Sequence, residues 1–114
     1  MRKQRTTVVE TTAFAARAKG RMTGLEIEQA VKMIARDPLF GDVIQGTGGI
    51  RKVRLAAKGK GKSGGVRIVY YYYNETMPVF LLTMFAKNEK EDLTKAERNA
   101  LAKVARALRE SYGE

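Results

Sequence analysis

The chain of 114 residues contains no cysteine and no histidine. The first absence removes disulfides, thiolate nucleophiles and cysteine metal sites. The second removes the commonest general base and the commonest metal ligand. Any catalysis must therefore run on lysine, arginine, tyrosine or carboxylates. No apolar run approaches the roughly 18 residues that a membrane span needs, so no membrane partner is expected. Residues 1–12, MRKQRTTVVETT, carry three positive charges with no apolar stretch behind them. No secretory signal is expected there, and a cytoplasmic location is the default expectation. Acidic residues are also missing from one long stretch: between Val43 and Asn74 there is neither Asp nor Glu.

What is present points to one folded, positively charged domain. The 44% apolar and 30% charged fractions are those of a globular protein, and the length suits a single core. The net charge of +10 is unevenly spread. Residues 1–42 hold eight Lys or Arg against five acids, and residues 75–114 hold seven against seven. The middle carries Arg51, Lys52, Arg54, Lys58, Lys60, Lys62 and Arg67 with no countercharge. These alternate with Ile50, Val53, Leu55, Val66, Ile68 and Val69, so the block reads as folded surface rather than as a tail. A folded surface of one sign usually meets a polyanion, and nucleic acid is the commonest.

Periodicity gives the elements. Thr6–Glu10 is a short candidate strand, and Phe14–Lys19 a first helix. Thr23 with Glu26 three places on forms a capping box, followed by Leu25, Ile27, Ala30, Val31 and Ile34 at helical spacing. Asp37-Pro38 ends that helix. Gly46, Gly48 and Gly49 mark a turn with positive φ. IRKVRLAA alternates, with Arg51, Val53 and Leu55 on one face and Lys52, Arg54 and Ala56 on the other. VRIVYYYYN is a β-branched and aromatic strand. Residues 74–78 are turn chemistry, and VFLLTMFAK is a buried strand. Thr94 with Glu97 makes a second capping box, and Leu101, Val104, Ala105, Leu108 and Tyr112 trace one face of a closing helix. Strands joined by short links are antiparallel neighbours. The expected fold is α+β: a small antiparallel sheet of three to four strands, two N-terminal helices and a C-terminal helix, with the helices on one sheet face and the other partly open.

Residues 56–63, AAKGKGKS, nearly fit the phosphate-loop pattern, with Gly61, Lys62 and Ser63 in the last three places and Ala56 where the first glycine should stand. That loop works because a helix follows it and turns free amides toward the phosphates. Here Gly64, Gly65 and a β-branched strand follow, a poor helix start. The stretch reads instead as a lysine-bearing hairpin connection. It is either a solvated turn or a grip on a phosphate backbone, and the neighbouring Lys52, Arg54 and Arg67 favour the grip.

The run from Gly41 to Leu93, with its GTGGIRK, GKGKSGGVRIVYY and LLTMFAKNEKEDLT segments, closely resembles the HigB-like branch of the RelE toxin superfamily. The resemblance implies a compact α+β ribonuclease fold and a type II toxin that cleaves mRNA, usually in the ribosomal A site. It also implies a helix-turn-helix antitoxin as partner, with operator DNA reached only through that antitoxin, and no cofactor or metal. Carried over by position, it implies catalytic roles for Lys58, Lys60, Arg67 and Lys87. Lys60 or Lys58 would be the base, Arg67 would stabilise the transition-state phosphate, and Lys87 would support it or protonate the leaving group. Arg51, Lys52, Arg54 and Lys62 would hold RNA, with Tyr71 stacking a base. Phe85 stands where relatives often carry a tyrosine, so a phenol that could share in proton transfer is absent.

Plainer readings stand beside these. Tyr70 and Tyr72 share a face with Val66 and Ile68 and read as core, while Tyr71 and Tyr73 are undecided. Lys87 also fits a solvated strand end. Asp37, Asp42, Glu89, Glu91 and Asp92 are too scattered for a metal, and the helix dipole accounts for acids near a helix start. A basic RNA- or ribosome-binding protein without catalysis is the alternative function. A DNA-binding regulator would want its charge on an exposed helix or ribbon rather than on a hairpin and sheet face.

Overall fold

The computed structural model describes residues 6–57 and 65–113. The elements run β1 (Val8–Glu10), α1 (Thr12–Ala18), α2 (Gly24–Arg36), β2 (Asp42–Val43), β3 (Ile50–Leu55), β4 (Val66–Tyr71), β5 (Val79–Ala86) and α3 (Lys95–Ser111). The strands form one sheet in the order β1-β5-β4-β3-β2. β1 runs parallel to β5, and every other neighbouring pair is antiparallel. The fold is α+β with three helices, as the sequence predicts, but with five strands rather than three to four. The added strands are the short edges, of three and two residues.

Each helix begins where its cap residue places it. Thr23 accepts from the Glu26 N–H at 3.1 Å while the Glu26 carboxylate accepts from the Thr23 N–H at 2.8 Å. Thr94 and Glu97 repeat the same reciprocal pair at the same two distances. Such caps satisfy amides that the first helical turn leaves unpaired. Thr11 caps α1 by accepting from the Phe14 N–H, and its hydroxyl donates to the Leu81 carbonyl at 2.7 Å. One side chain thus starts the helix and fastens it to β5. Between β2 and β3, Gly46, Gly48 and Gly49 adopt φ of 81°, 77° and 112°, the left-handed turn expected of them.

The helices do not lie on one face of the sheet. α1 and α2 cover one side, where Phe14, Ala18, Ala30 and Ile34 pack with Val53, Val66, Ile68, Tyr70, Leu81 and Met84. α3 covers the other, where Ala105, Leu101 and Leu108 pack with Ile50, Val69, Tyr71, Phe80, Leu82 and Phe85. Burial on both sides explains the nearly unbroken apolar runs of β4 and β5, since a strand with one wet face alternates instead. Each fully buried side chain of this size contributes about 1.5–3 kcal/mol. The α3-side core takes Ile50 from the start of β3 and Val69 and Tyr71 from the later part of β4, and no described residue from the end where β3 finishes and β4 begins. That end carries the basic residues.

Candidate functional site

Strand register brings the cations together. Arg54 on β3 lies directly opposite Arg67 on β4, and Arg67 lies opposite Phe85 on β5. Lys52, two residues back along β3, shares the face of Arg54. Lys87 follows the last residue of β5, and its N–H donates to the Gly65 carbonyl at 2.9 Å, which fixes the strand end against the start of β4. Gly65 is itself required there: a Cβ would sit 1.9 Å from the Leu55 carbonyl oxygen. Lys52, Arg54, Arg67 and Lys87 line one cleft of about 660 Å³ together with Phe40, Gly41, Asp42, Val53 and Glu91.

The four cations are not equally satisfied. Lys52 reaches both oxygens of Asp92, at 3.1 and 3.0 Å. Lys87 meets Glu91 at 3.3 Å, four residues on. No ion pair among the described residues engages Arg54 or Arg67. The Nη1 of Arg67 is buried and has no hydrogen-bond partner. Burial, and then the charge of Arg54, pull the Arg67 guanidinium below its ordinary pKa, while Asp92 and Glu91 act the other way. For Asp92, burial pushes the carboxyl up, but the Leu93 N–H and Lys52 outweigh it and leave the pKa low. The cleft therefore has a neutralised rim and an uncompensated centre. An anion with two or three free oxygens is the complement of that centre.

Residues 6–113 match the family described as the RelE toxin of the RelE/RelB toxin–antitoxin system. The chain belongs to the RelE toxin family. A mutant of the E. coli toxin RelE, solved in the free state, matches with a TM-score of 0.60 at 16% identity, over 92% of this chain and 100% of that one. At that identity the likeness is one of fold. This RelE-family toxin has, among its described residues, no helix long and apolar enough to cross a membrane. Nor do three of its described acids gather as a metal would need.

Of the residues the sequence assigns to the site, the toxin brings Lys52, Arg54, Arg67 and Lys87 into one cleft. Lys58, Lys60 and Lys62 lie outside the described residues. Two RNA contacts need correction. Arg51 faces the α2 side, where its Nη1 donates to the carbonyls of Leu39 at 3.2 Å and Gly41 at 2.7 Å. Those carbonyls take one end of its guanidinium, and its Nε is buried without a partner. Tyr71 is 1% exposed, and its phenol accepts from Arg109 at 2.9 Å, so it has no free face for a base. Phe85, also 2% exposed, lies in the α3-side core.

Phe40, Asp42, Glu91 and Asp92 belong to the site or its rim and were not legible as such. The opposite charges of Lys87 and Glu91, four residues apart, were the available signal, and the turn after β5 brings them within 3.3 Å. Glu91 and Asp92 both precede the Thr94 cap of α3. Glu91 pairs with Lys87, and Asp92 pairs with Lys52 while also accepting from the Leu93 N–H at 2.8 Å. Glu89 points elsewhere, pairing with Arg21 through both carboxylate oxygens at 2.8 Å.

Proposed function

We propose that the toxin is a metal-independent endoribonuclease that cuts mRNA and so halts translation and growth. The observation that carries the reading is the buried, unpartnered Nη1 of Arg67 in a cleft it shares with Arg54, Lys52 and Lys87. A buried guanidinium nitrogen whose donor is unused costs stability unless a ligand completes it. A phosphodiester in its transition state does so with its non-bridging oxygens.

That placement supports one reaction. A base removes the proton of a ribose 2′-OH, the oxygen attacks the adjacent phosphorus, and the bond to the 5′-oxygen breaks as an acid protonates it. A 2′,3′-cyclic phosphate is left on one fragment and a 5′-OH on the other. Arg67 stabilises the charge that builds on the phosphate. Lys87, paired with Glu91 at 3.3 Å, protonates the leaving oxygen or supports Arg67. Lys60 or Lys58 is the base. Lys52 and Arg54 hold flanking phosphates, as Lys62 does. The work is done in the cytoplasm, at mRNA in the ribosomal A site. A helix-turn-helix antitoxin silences the toxin and carries it to operator DNA.

The test compares induced wild type with Lys60→Ala and Arg67→Ala, each shown to fold by its melting curve. Wild type halts growth and yields new mRNA 5′ ends that persist in chelator-treated extracts, and both variants lose both effects. Equal toxicity of all three proteins refutes the assignment. Phe85 favours one competing reading, since its buried ring supplies no phenol to the cleft. A non-catalytic ribosome binder would arrest translation and leave the mRNA intact.

A further inference from the structure

Phosphate chemistry leaves unexplained an apolar ring beside the cations. Phe40 is 58% exposed, and of the large apolar side chains that stay exposed among the described residues it is the one that lines this cleft. Single exposed apolar residues are ordinary on a protein surface. This one is set apart by what holds it.

Residues 37–41 are clamped from beneath. The Phe40 N–H donates to the Asp37 carbonyl at 3.0 Å. The buried Tyr70 phenol donates to the Pro38 carbonyl at 2.8 Å and accepts from the Gly41 N–H at 2.8 Å. Arg51 then holds the carbonyls on either side of Phe40, those of Leu39 and Gly41. Gly41 is pressed so closely that a Cβ would lie 2.7 Å from the Tyr70 oxygen and 2.8 Å from the Lys52 carbonyl oxygen. The backbone at Phe40 is thus rigid, yet its ring is directed into water at the edge of a cationic cleft. A ring left out by a loose loop would need no reason. A ring held out by a buried phenol and a guanidinium is pre-organised for a partner.

We propose that Phe40 is the stacking platform for a nucleobase next to the scissile phosphate. The inference rests on the endoribonuclease reading and deepens it. Arginine and lysine contacts to phosphate position the nucleic acid without reading its bases. An aromatic face engages any base, whatever its identity, and it strengthens binding by a factor of about five to a hundred per base. Tyr71 was the sequence's candidate for this part, and its burial leaves Phe40 to fill it.

The experiment is a double-mutant cycle between ring and base. Single-turnover cleavage is measured for wild type, Phe40→Ala, Phe40→Leu and Phe40→Tyr. The substrates are a free mRNA, the same mRNA on programmed ribosomes, and copies of each with one abasic ribose at successive codon positions. Phe40→Ala and Phe40→Leu are expected to slow cleavage at least fivefold while Phe40→Tyr keeps the wild-type rate. At one position the abasic ribose slows wild type by a similar factor and slows Phe40→Ala no further. A wild-type rate for Phe40→Ala, or losses that multiply at every position, overturns the platform while leaving Arg67-dependent cleavage intact. Undiminished cleavage by Phe40→Ala with weakened antitoxin binding overturns it in favour of a protein contact. Absence of wild-type cleavage on all of these RNAs defeats the endoribonuclease reading itself, and the platform with it.

Discussion

Replacing Arg67 by methionine should make the toxin more stable and inactive. In the ladder Arg67 faces Arg54, and like charges directly opposite across strands cost about 0.2–1 kcal/mol. Its Nη1 is buried without a partner, and such an orphaned donor costs about 1–3 kcal/mol. Against this stands the attraction of Glu91 and Asp92, which at these exposed side chains contributes no more than about 1 kcal/mol. The balance favours Arg67→Met by about 0.2–4 kcal/mol, at roughly 4 °C in melting temperature per kcal/mol for a domain of this size. The assay is thermal unfolding in a phosphate-free, low-salt buffer, repeated with added inorganic phosphate. Phosphate should raise the melting temperature of wild type and leave Arg67→Met unchanged, because a ligand stabilises only the form that binds it. A variant that melts below wild type in phosphate-free buffer refutes the reasoning: Arg67 would then be a satisfied structural cation, and its conservative removal a loss.

Tyr70→Phe removes the phenol that joins Pro38 to Gly41. It should cost about 1–3 kcal/mol in urea unfolding. Burial, the leading cause, raises the Tyr70 pKa, so the folded chain holds that proton more tightly than the unfolded one. The stability involved is complete below pH ~10 and is lost as pH rises through the folded value. The wild-type urea midpoint should consequently fall more steeply above pH ~10 than that of Tyr70→Phe, and parallel curves would refute the burial argument. Gly65→Ala should abolish cooperative unfolding, given the 1.9 Å approach to Leu55. Gly24→Ala, at an open helical position, should instead raise stability by about 0.4–1 kcal/mol. Asp92→Asn frees Lys52 and should tighten binding of a labelled single-stranded RNA at low salt, read by fluorescence anisotropy. Unchanged affinity would mean that Lys52 takes no part in RNA binding.

How far the sequence spoke depended on how local each feature was. The two capping boxes, Thr23 with Glu26 and Thr94 with Glu97, need only three residues of chain and were legible to the residue. The clustering of Lys52, Arg54 and Arg67 was legible because a hairpin of alternating strands fixes which side chains share a face. What could not be read was non-local. The parallel pairing of Val8 with Val79 joins residues with no pattern in common. Alternation on β4 was also silent about Tyr71, because α3 buries the very face that carries Arg67 farther along the strand. One side of a strand is core at one end and cleft at the other, and periodicity assigns only the side. For the same reason Arg51 looked like one more cation of the block, although its partners are the carbonyls of a loop that period-two reasoning does not reach.

The pairing of β1 with β5 has a consequence for the order in which the chain acquires its shape. At translation rates of ~5–20 residues per second, the first strand leaves the ribosome several seconds before the strand it lies beside. Lys87 and Glu91, which finish the cleft, come later than every residue of β1 to β4. A nascent toxin is therefore without its working surface for most of its synthesis. An antitoxin already present in the cell has that interval in which to meet a chain whose proposed RNA-cutting cleft is not yet assembled.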